Sequence, residues 1–176
     1  MKFRRNLGDS MVRSHDPPSK RALFLDWGGT LALTQENRTV LDEHGHPVLM
    51  PNVAVTLARE RPRFDACFIV SNQARVSRGE IAKAEVLRRF AWAHERLGRP
   101  FTDYRLCPHS DADGCECRKP RPGMFLELAD RYGLSLPAST HVGDSEKDRD
   151  AAVVAGVGTF VWARDFFGWV SAPGAA

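Results

Sequence analysis

Four segments of this 176-residue chain carry side chains that could act together. In Arg21–Leu33 the apolar run Ala22–Leu25 ends on Asp26, and Gly28, Gly29 and Thr30 follow. A second apolar run, Ala66–Val70, ends on Ser71-Asn72-Gln73. The third segment, Cys107–Lys119, ends on Arg118-Lys119, and the fourth, Thr140–Gly143, runs into Asp144. Two carboxylates, a hydroxyl and a lysine are equipment for handling a phosphoryl group through a metal ion. Asp26 and Asp144 suit a hard cation such as Mg²⁺. Ser71 and Lys119 suit phosphate oxygens, and the ammonium offsets charge that develops during transfer. An aspartate held this way is also a nucleophile that can form an aspartyl-phosphate. Alone, Asp26 reads equally well as a residue that starts a turn after a strand; the other three segments favour the chemistry.

The cysteines carry a separate signal. Three of the four lie within eleven residues, as Cys107-Pro-His109 and Cys115-Glu-Cys117. Cys107, His109, Cys115 and Cys117 offer three thiolates and one imidazole, a closed tetrahedral set for Zn²⁺ with no position left for water. Such a zinc is structural, and it would fix where Lys119 points. Unligated thiols and disulfides are the alternatives, and a reducing compartment disfavours the disulfides. Cys67 reads as a core residue.

These groups need elements to hold them. Short apolar runs such as Ala22–Leu25 fit buried strands of a parallel sheet. Strands are expected over Ala22–Leu25, Ala66–Val70, Tyr104–Cys107, Thr140–Gly143 and Thr159–Ala163. Helices are expected between them: Asn52–Arg61 after Pro51, with Val53, Leu57 and Val55 inward; Ser77 to Leu97; Pro122–Tyr132; and Glu146–Ala155. For the second helix, Ser77 and Glu80 fit a capping box. Its inward stripe reads Ile81, Ala84, Leu87, Phe90, His94 and Leu97. Ala32–Met50 reads as a long loop or flap with a small hairpin; its His44 and His46 fit solvent exposure better than metal binding. Alternating strands and helices imply a doubly wound, parallel, five-stranded α/β sheet. In such a sheet the carboxyl ends of the strands converge on one crevice. Asp26, Ser71, Lys119 and Asp144 would meet there.

Composition is ordinary for a globular protein, and the length suits one domain. The net charge of +3 misleads. Residues 1–21 hold six basic and two acidic side chains, so the remainder holds 19 basic and 20 acidic ones. That balance speaks against nucleic-acid binding by the fold. The leader has no apolar segment of a secretory signal. No stretch is long enough to span a bilayer. The expected division is a disordered basic leader over 1–20, a catalytic domain over 21–165 and a tail over 166–176. A cytoplasmic monomer acting on a small phosphorylated metabolite is expected, with no nucleic-acid or membrane partner.

DWGGTL, SNQ, CRKPRPGM and HVGDSEKD, in this order, resemble the haloacid dehalogenase superfamily of phosphatases. The Cys-x-His…Cys-x-Cys loop running into RKPRPGM resembles a capless, zinc-loop branch. That branch contains heptose 1,7-bisphosphate phosphatases and histidinol-phosphate phosphatase domains. PGM after the lysine leans toward the heptose enzymes, and the short loop between His109 and Cys115 toward the histidinol enzymes. The resemblance implies Asp26 as nucleophile, Ser71 and Lys119 on the phosphate, and Asn72, Gln73 and Arg118 near the substrate. It implies Mg²⁺ on Asp26, Asp144, the backbone of Ser145 and the carbonyl of Gly28, and Zn²⁺ on Cys107, His109, Cys115 and Cys117. It also places Asp148 where it can hydrogen-bond within the site.

Two positions depart from the family. Gly28 stands where these phosphatases carry a second aspartate that shuttles protons, and Arg75 where they have a small residue. Losing a positioned acid–base group costs about 10²- to 10⁴-fold. The expected enzyme is therefore a slow sugar-phosphate phosphatase. A histidinol-phosphate-type enzyme, a phosphate-binding homologue acting through partners, and nucleic-acid end processing are the alternatives.

Overall fold

The structure, a computed structural model, describes residues 19–169. Its elements in chain order are β1 (Ala22–Leu25), β2 (Thr34–Gln35), β3 (Arg38–Thr39), α1 (Val53–Glu60), β4 (Ala66–Asn72), α2 (Lys83–Arg96) and β5 (Asp103–Cys107). After these come α3 (Gly123–Tyr132), β6 (Thr140–Gly143), α4 (Glu146–Ala155), β7 (Thr159–Trp162) and α5 (Ala163–Phe167). The main sheet is parallel throughout, in the order β5-β4-β1-β6-β7. The chain order reverses beside β1, the topological switch where such sheets open a crevice.

All four residues of β1 are buried, as a central strand covered on both faces must be. Alternate side chains serve opposite layers. Leu23 and Leu25 pack with Val53, Leu57, Val86, Phe90 and Phe167, from α1, α2 and α5. Ala22 and Phe24 pack with Phe68, Phe125, Leu128 and Ala151, from the sheet and from α3 and α4.

The flap is a hairpin, β2 paired antiparallel with β3. Its two-residue turn, Glu36-Asn37, has φ of 50° and 58°. That is the left-handed pair a tight hairpin requires, and Asn tolerates it well. The hairpin is rooted in the turn after β1: Trp27 Nε1 donates to Thr39 Oγ1 at 3.1 Å, and Met50 N to Leu31 O at 2.9 Å. His44 is exposed, and His46 stacks on Trp92 with ring centroids 5.0 Å apart.

Several expectations need correction. Ser77 does not cap α2, which begins at Lys83; Ser77 Oγ donates to Ala74 O, and Glu80 is occupied by Arg75 and Arg78. The inward face of α2 is Val86, Phe90 and Ala93, while Leu87 and Ala84 are exposed. Two stripes at helical spacing overlap at Phe90. The one containing Val86 wins because Phe90 then meets Trp27, at 4.8 Å between rings. Val55 on α1 is 65 % exposed. Lys20 belongs with the fold rather than the leader, since Ser135 N donates to its carbonyl. The leader's first eighteen residues lie outside the described ones, as do 170–176. Residues 166–169 are not a loose tail: Phe167 is buried, and its carbonyl accepts from Asn52 Nδ2 at 3.1 Å.

The register of α2 is testable. Val86→Ala should lower the unfolding free energy by about 2 kcal/mol. Leu87→Ala should change it by about 0.5 kcal/mol or less. Urea melts that reverse this order would restore the other stripe.

Candidate active site

The ends of four of the five strands of the main sheet deliver groups to a pocket of about 450 Å³. Asp26 follows β1, Ser71 and Asn72 close β4, and Asp144 follows β6. Lys119 comes from the loop after β5. Asp26, Gly28, Ser71, Asn72, Gln73, Arg118, Lys119, Asp144 and Ser145, the expected substrate and magnesium residues, all line this pocket.

The floor is organised by Lys119, which is 2 % exposed. Its Nζ donates to Asp26 Oδ1 at 2.6 Å, to Asp148 Oδ1 at 2.5 Å and to Val70 O at 2.8 Å. All three ammonium donors are thus satisfied. Asn72 fixes the lysine's backbone from both sides: Nδ2 donates to Lys119 O at 2.9 Å, and Oδ1 accepts from Lys119 N at 3.0 Å. Asp148 also closes the start of α4, where Ser145 N and Oγ donate to its Oδ2 at 3.1 and 2.5 Å.

Burial pushes the Asp26 carboxyl up to about 7, with Asp148 and Asp144 adding to the rise and Lys119 opposing it. Burial and Asp148 likewise raise Asp144. Asp148 is held low: burial works against it, but the Lys119 ammonium prevails. Burial alone would lower Lys119, yet Asp26 and Asp148 outweigh it and raise the ammonium.

Oxygens of Asp26, Asp144 and Asp148 lie within 4.8 Å of one another. Ionised, these three carboxylates outnumber the one ammonium by two charges. Asp148 and Asp144 add to the rise that burial causes at Asp26, and a hard divalent cation among oxygen ligands would relieve their repulsion. The site therefore fits magnesium. Gly29 makes room for the Asp144 carboxylate. A Cβ there would lie 2.2 Å from Asp144 Oδ2, and φ is +74°, so only glycine lets the turn sit against that carboxylate.

The four residues expected to hold zinc also come together. Cys107 Sγ lies 3.5 Å from Cys115 Sγ and 3.6 Å from His109 Nδ1; Cys117 Sγ lies 3.5 Å from Cys115 Sγ and 3.4 Å from His109 Nδ1. Zn–S bonds of about 2.3 Å and Zn–N bonds of about 2.0 Å at tetrahedral angles imply edges of roughly 3.5–3.8 Å. The donor set fits that ion. Gln73 N donates to Cys107 O at 2.7 Å, so the loop is also stitched to the end of β4.

The pocket walls are basic. Arg75, Arg78, Arg89, Arg118 and Lys147 line it, while the carboxylates that pair with them, including Glu80, Glu85 and Asp111, sit outside. Arg75 lines the pocket rather than blocking it. Thr34, Asn37 and Thr39 of the hairpin complete the rim.

Sequence reasoning missed Arg89, whose place depended on the phase of α2, and His141. The His141 ring is fully buried, with Nδ1 3.2 Å from Phe24 O and Nε2 3.6 Å from Asp148 Oδ1. Facing a carbonyl, Nδ1 carries the ring proton. Burial lowers the ring's pKa and keeps it neutral. A histidine inside an otherwise apolar strand was the available signal.

A family model described as polynucleotide kinase 3 phosphatase matches residues 21–155. The chain belongs to this phosphatase family, within the haloacid dehalogenase superfamily. It is similar to D-glycero-beta-D-manno-heptose-1,7-bisphosphate 7-phosphatases. The Vibrio cholerae protein is 31 % identical over 156 residues, covering 83 % of this chain and 82 % of that one. The Rhodopseudomonas palustris protein is 32 % identical over 153 residues, covering 81 % and 83 %. Among solved structures, the D,D-heptose 1,7-bisphosphate phosphatase of B. bronchiseptica, complexed with magnesium and phosphate, is similar at a TM-score of 0.70. It is 28 % identical and covers 79 % of this chain and 78 % of that one. Among the described residues, no helix is long and apolar enough to cross a membrane.

Lys119→Met removes the only ammonium on the floor and strands two buried carboxylates. In chelator, its unfolding free energy should fall by about 3–5 kcal/mol. An unchanged urea midpoint would mean that Lys119 is not the hub of the site.

Proposed function

We propose that this phosphatase hydrolyses a small sugar phosphate, heptose bisphosphate-like in chemistry, through an aspartyl-phosphate on Asp26. The observation that carries this reading is the convergence of Asp26 and Asp144, at the ends of neighbouring strands β1 and β6, with Lys119 from the loop after β5. The curated relatives, named for heptose bisphosphate, supply the substrate class.

Lys119 takes Oδ1 of Asp26, which leaves Oδ2 to attack phosphorus. Ser71 Oγ and the Lys119 ammonium hold the transferring oxygens and offset their charge. Asn72 positions Lys119 through its backbone, and Gln73, which donates to Ser71 Oγ at 3.0 Å, orients that hydroxyl. Arg118 meets the rest of the substrate; its Nε is committed to Asp111 at 2.6 Å and its Nη1 to His109 O at 3.2 Å, which aims the guanidinium. Asp26, Asp144, the Gly28 carbonyl and the Ser145 backbone would hold Mg²⁺. The ion would keep Asp26 ionised and polarise the phosphoryl group. Cys107, His109, Cys115 and Cys117 would hold a structural zinc that sets the approach of Arg118 and Lys119.

The family model favours a second reading, removal of a terminal phosphate from a polynucleotide. The near-neutral charge beyond residue 21 weighs against it.

Two outcomes test this reading. With Mg²⁺ present, phosphate release from sugar phosphates should vanish in Asp26→Asn and in excess chelator; full activity in either would move the chemistry elsewhere. A 3′-phosphorylated oligonucleotide preferred over sugar phosphates would establish the second reading instead. Freshly reduced protein should also contain about one zinc per chain by elemental analysis. Cys115→Ser should lose the metal and most of the activity together. Metal-free protein with full activity would contradict the structural zinc.

A further inference from the structure

We infer that this site favours phosphates whose leaving oxygen is already weakly basic, such as a phosphate on an anomeric carbon, over phosphates on ordinary alcohols. The phosphorylated form of Asp26 then outlives its own formation. This rests on the phosphatase reading above and adds a leaving-group class to it.

The leaving oxygen departs in line with the attack, away from Asp26 and toward the pocket mouth. No free carboxylate or imidazole is there to shuttle a proton. The carboxylates that line the pocket are Asp26, Asp144 and Asp148, all assigned above to the nucleophile, the cation and the Lys119 pairing, and no histidine among the described residues lines it. Asp148 is fully engaged, with Oδ1 on Lys119 and Oδ2 on Ser145. Gly28 lines the pocket two residues beyond Asp26 and offers only backbone; a Cβ there would lie 3.1 Å from Thr34 Cγ2. The rim beside it is Thr34, Asn37 and Thr39, two hydroxyls and an amide. Thr39 Oγ1 already accepts from Trp27. The arginines and lysine of the walls are donors without acceptor capacity. They can offset charge on a departing oxyanion, but they cannot take a proton from an attacking water.

Both half-reactions follow from this. In the first, Asp26 Oδ2 bonds to phosphorus and the bond from phosphorus to the leaving oxygen breaks. The electron pair leaves on that oxygen, which takes its proton from solvent. An ordinary alkoxide is penalised heavily at this step and an acidic leaving group little. In the second, a water oxygen bonds to phosphorus, the Asp26–phosphorus bond breaks and the carboxylate returns. The water's proton passes to the phosphate or to solvent. Without a base this step is slow for every substrate, so the phosphoenzyme accumulates.

The test uses the full chain with Mg²⁺ and three ring-matched esters of falling leaving-group acidity: p-nitrophenyl, phenyl and benzyl phosphate. A hexose 1-phosphate and the corresponding 6-phosphate form a second comparison. kcat/KM should fall by about 100-fold or more from the nitrophenyl to the benzyl ester, and from the 1- to the 6-phosphate. Rapid quenching should find a nitrophenolate burst near one equivalent per chain. Gly28→Asp should raise kcat/KM on the benzyl ester by about tenfold or more and by a clearly larger factor than on the nitrophenyl ester, and shrink the burst. Thr34 need yield only a few tenths of an ångström to admit the new Cβ. If that variant does not fold, the native series decides alone. Equal kcat/KM across the series without a burst would overturn the inference while the phosphatase reading stood. A protein inert toward all five esters would overturn both.

Discussion

A single buried ammonium holds this site together. Lys119 stands between Asp26 at the end of β1 and Asp148 on α4, with Val70 O as its third acceptor. It thereby joins three elements that the sheet only brings near one another. An isolated charge cannot be buried at tolerable cost, and neither can two carboxylates without a partner. Each group is therefore a condition for the others. Asn72 ties the lysine's backbone to β4, and the Cys/His loop arrives from β5 through Cys107. The pocket floor is fixed by charge pairing and its surroundings by packing.

That pairing does not balance. Asp144 joins Asp26 and Asp148, and one ammonium faces three carboxylates. Burial raises Asp26 and Asp144, the neighbouring carboxylates add to the rise, and a divalent cation would relieve that repulsion. Around it, the walls present arginines whose partner carboxylates lie behind them. An anionic ligand is thus drawn to the mouth and would meet a cation at the floor. The glycines beside the carboxylates follow from crowding. A Cβ at Gly143 would lie 2.4 Å from Asp148 Cβ, as one at Gly29 would strike Asp144.

Much of this was legible in the sequence, for a physical reason. Short apolar runs ending on polar clusters mark parallel strands, and strand ends converge whatever their connections. Asp26, Ser71, Lys119 and Asp144 could therefore be grouped before any coordinates. The Cys/His loop was legible because ligand spacing is local. What failed depended on tertiary competition. The capping pattern at Ser77 lost to a tight turn in which Glu80 pairs with two arginines. The stripe on α2 was ambiguous until Phe90 met Trp27. Phe167 reads as a tail residue until α5 folds back and its carbonyl meets Asn52. His141 and Arg89 owe their positions to packing partners distant in sequence.

The central claim is that Asp26 carries the phosphoryl group. It is tested most directly by incubating the native protein with Mg²⁺ and an aryl phosphate, quenching in acid and reducing with borohydride, then mapping the peptides by mass spectrometry. Borohydride converts an aspartyl-phosphate to homoserine and leaves free carboxylates unchanged. Conversion is expected at residue 26 alone, dependent on substrate and on Mg²⁺. Conversion at Asp144 or Asp148, or turnover with no conversion at all, would contradict it.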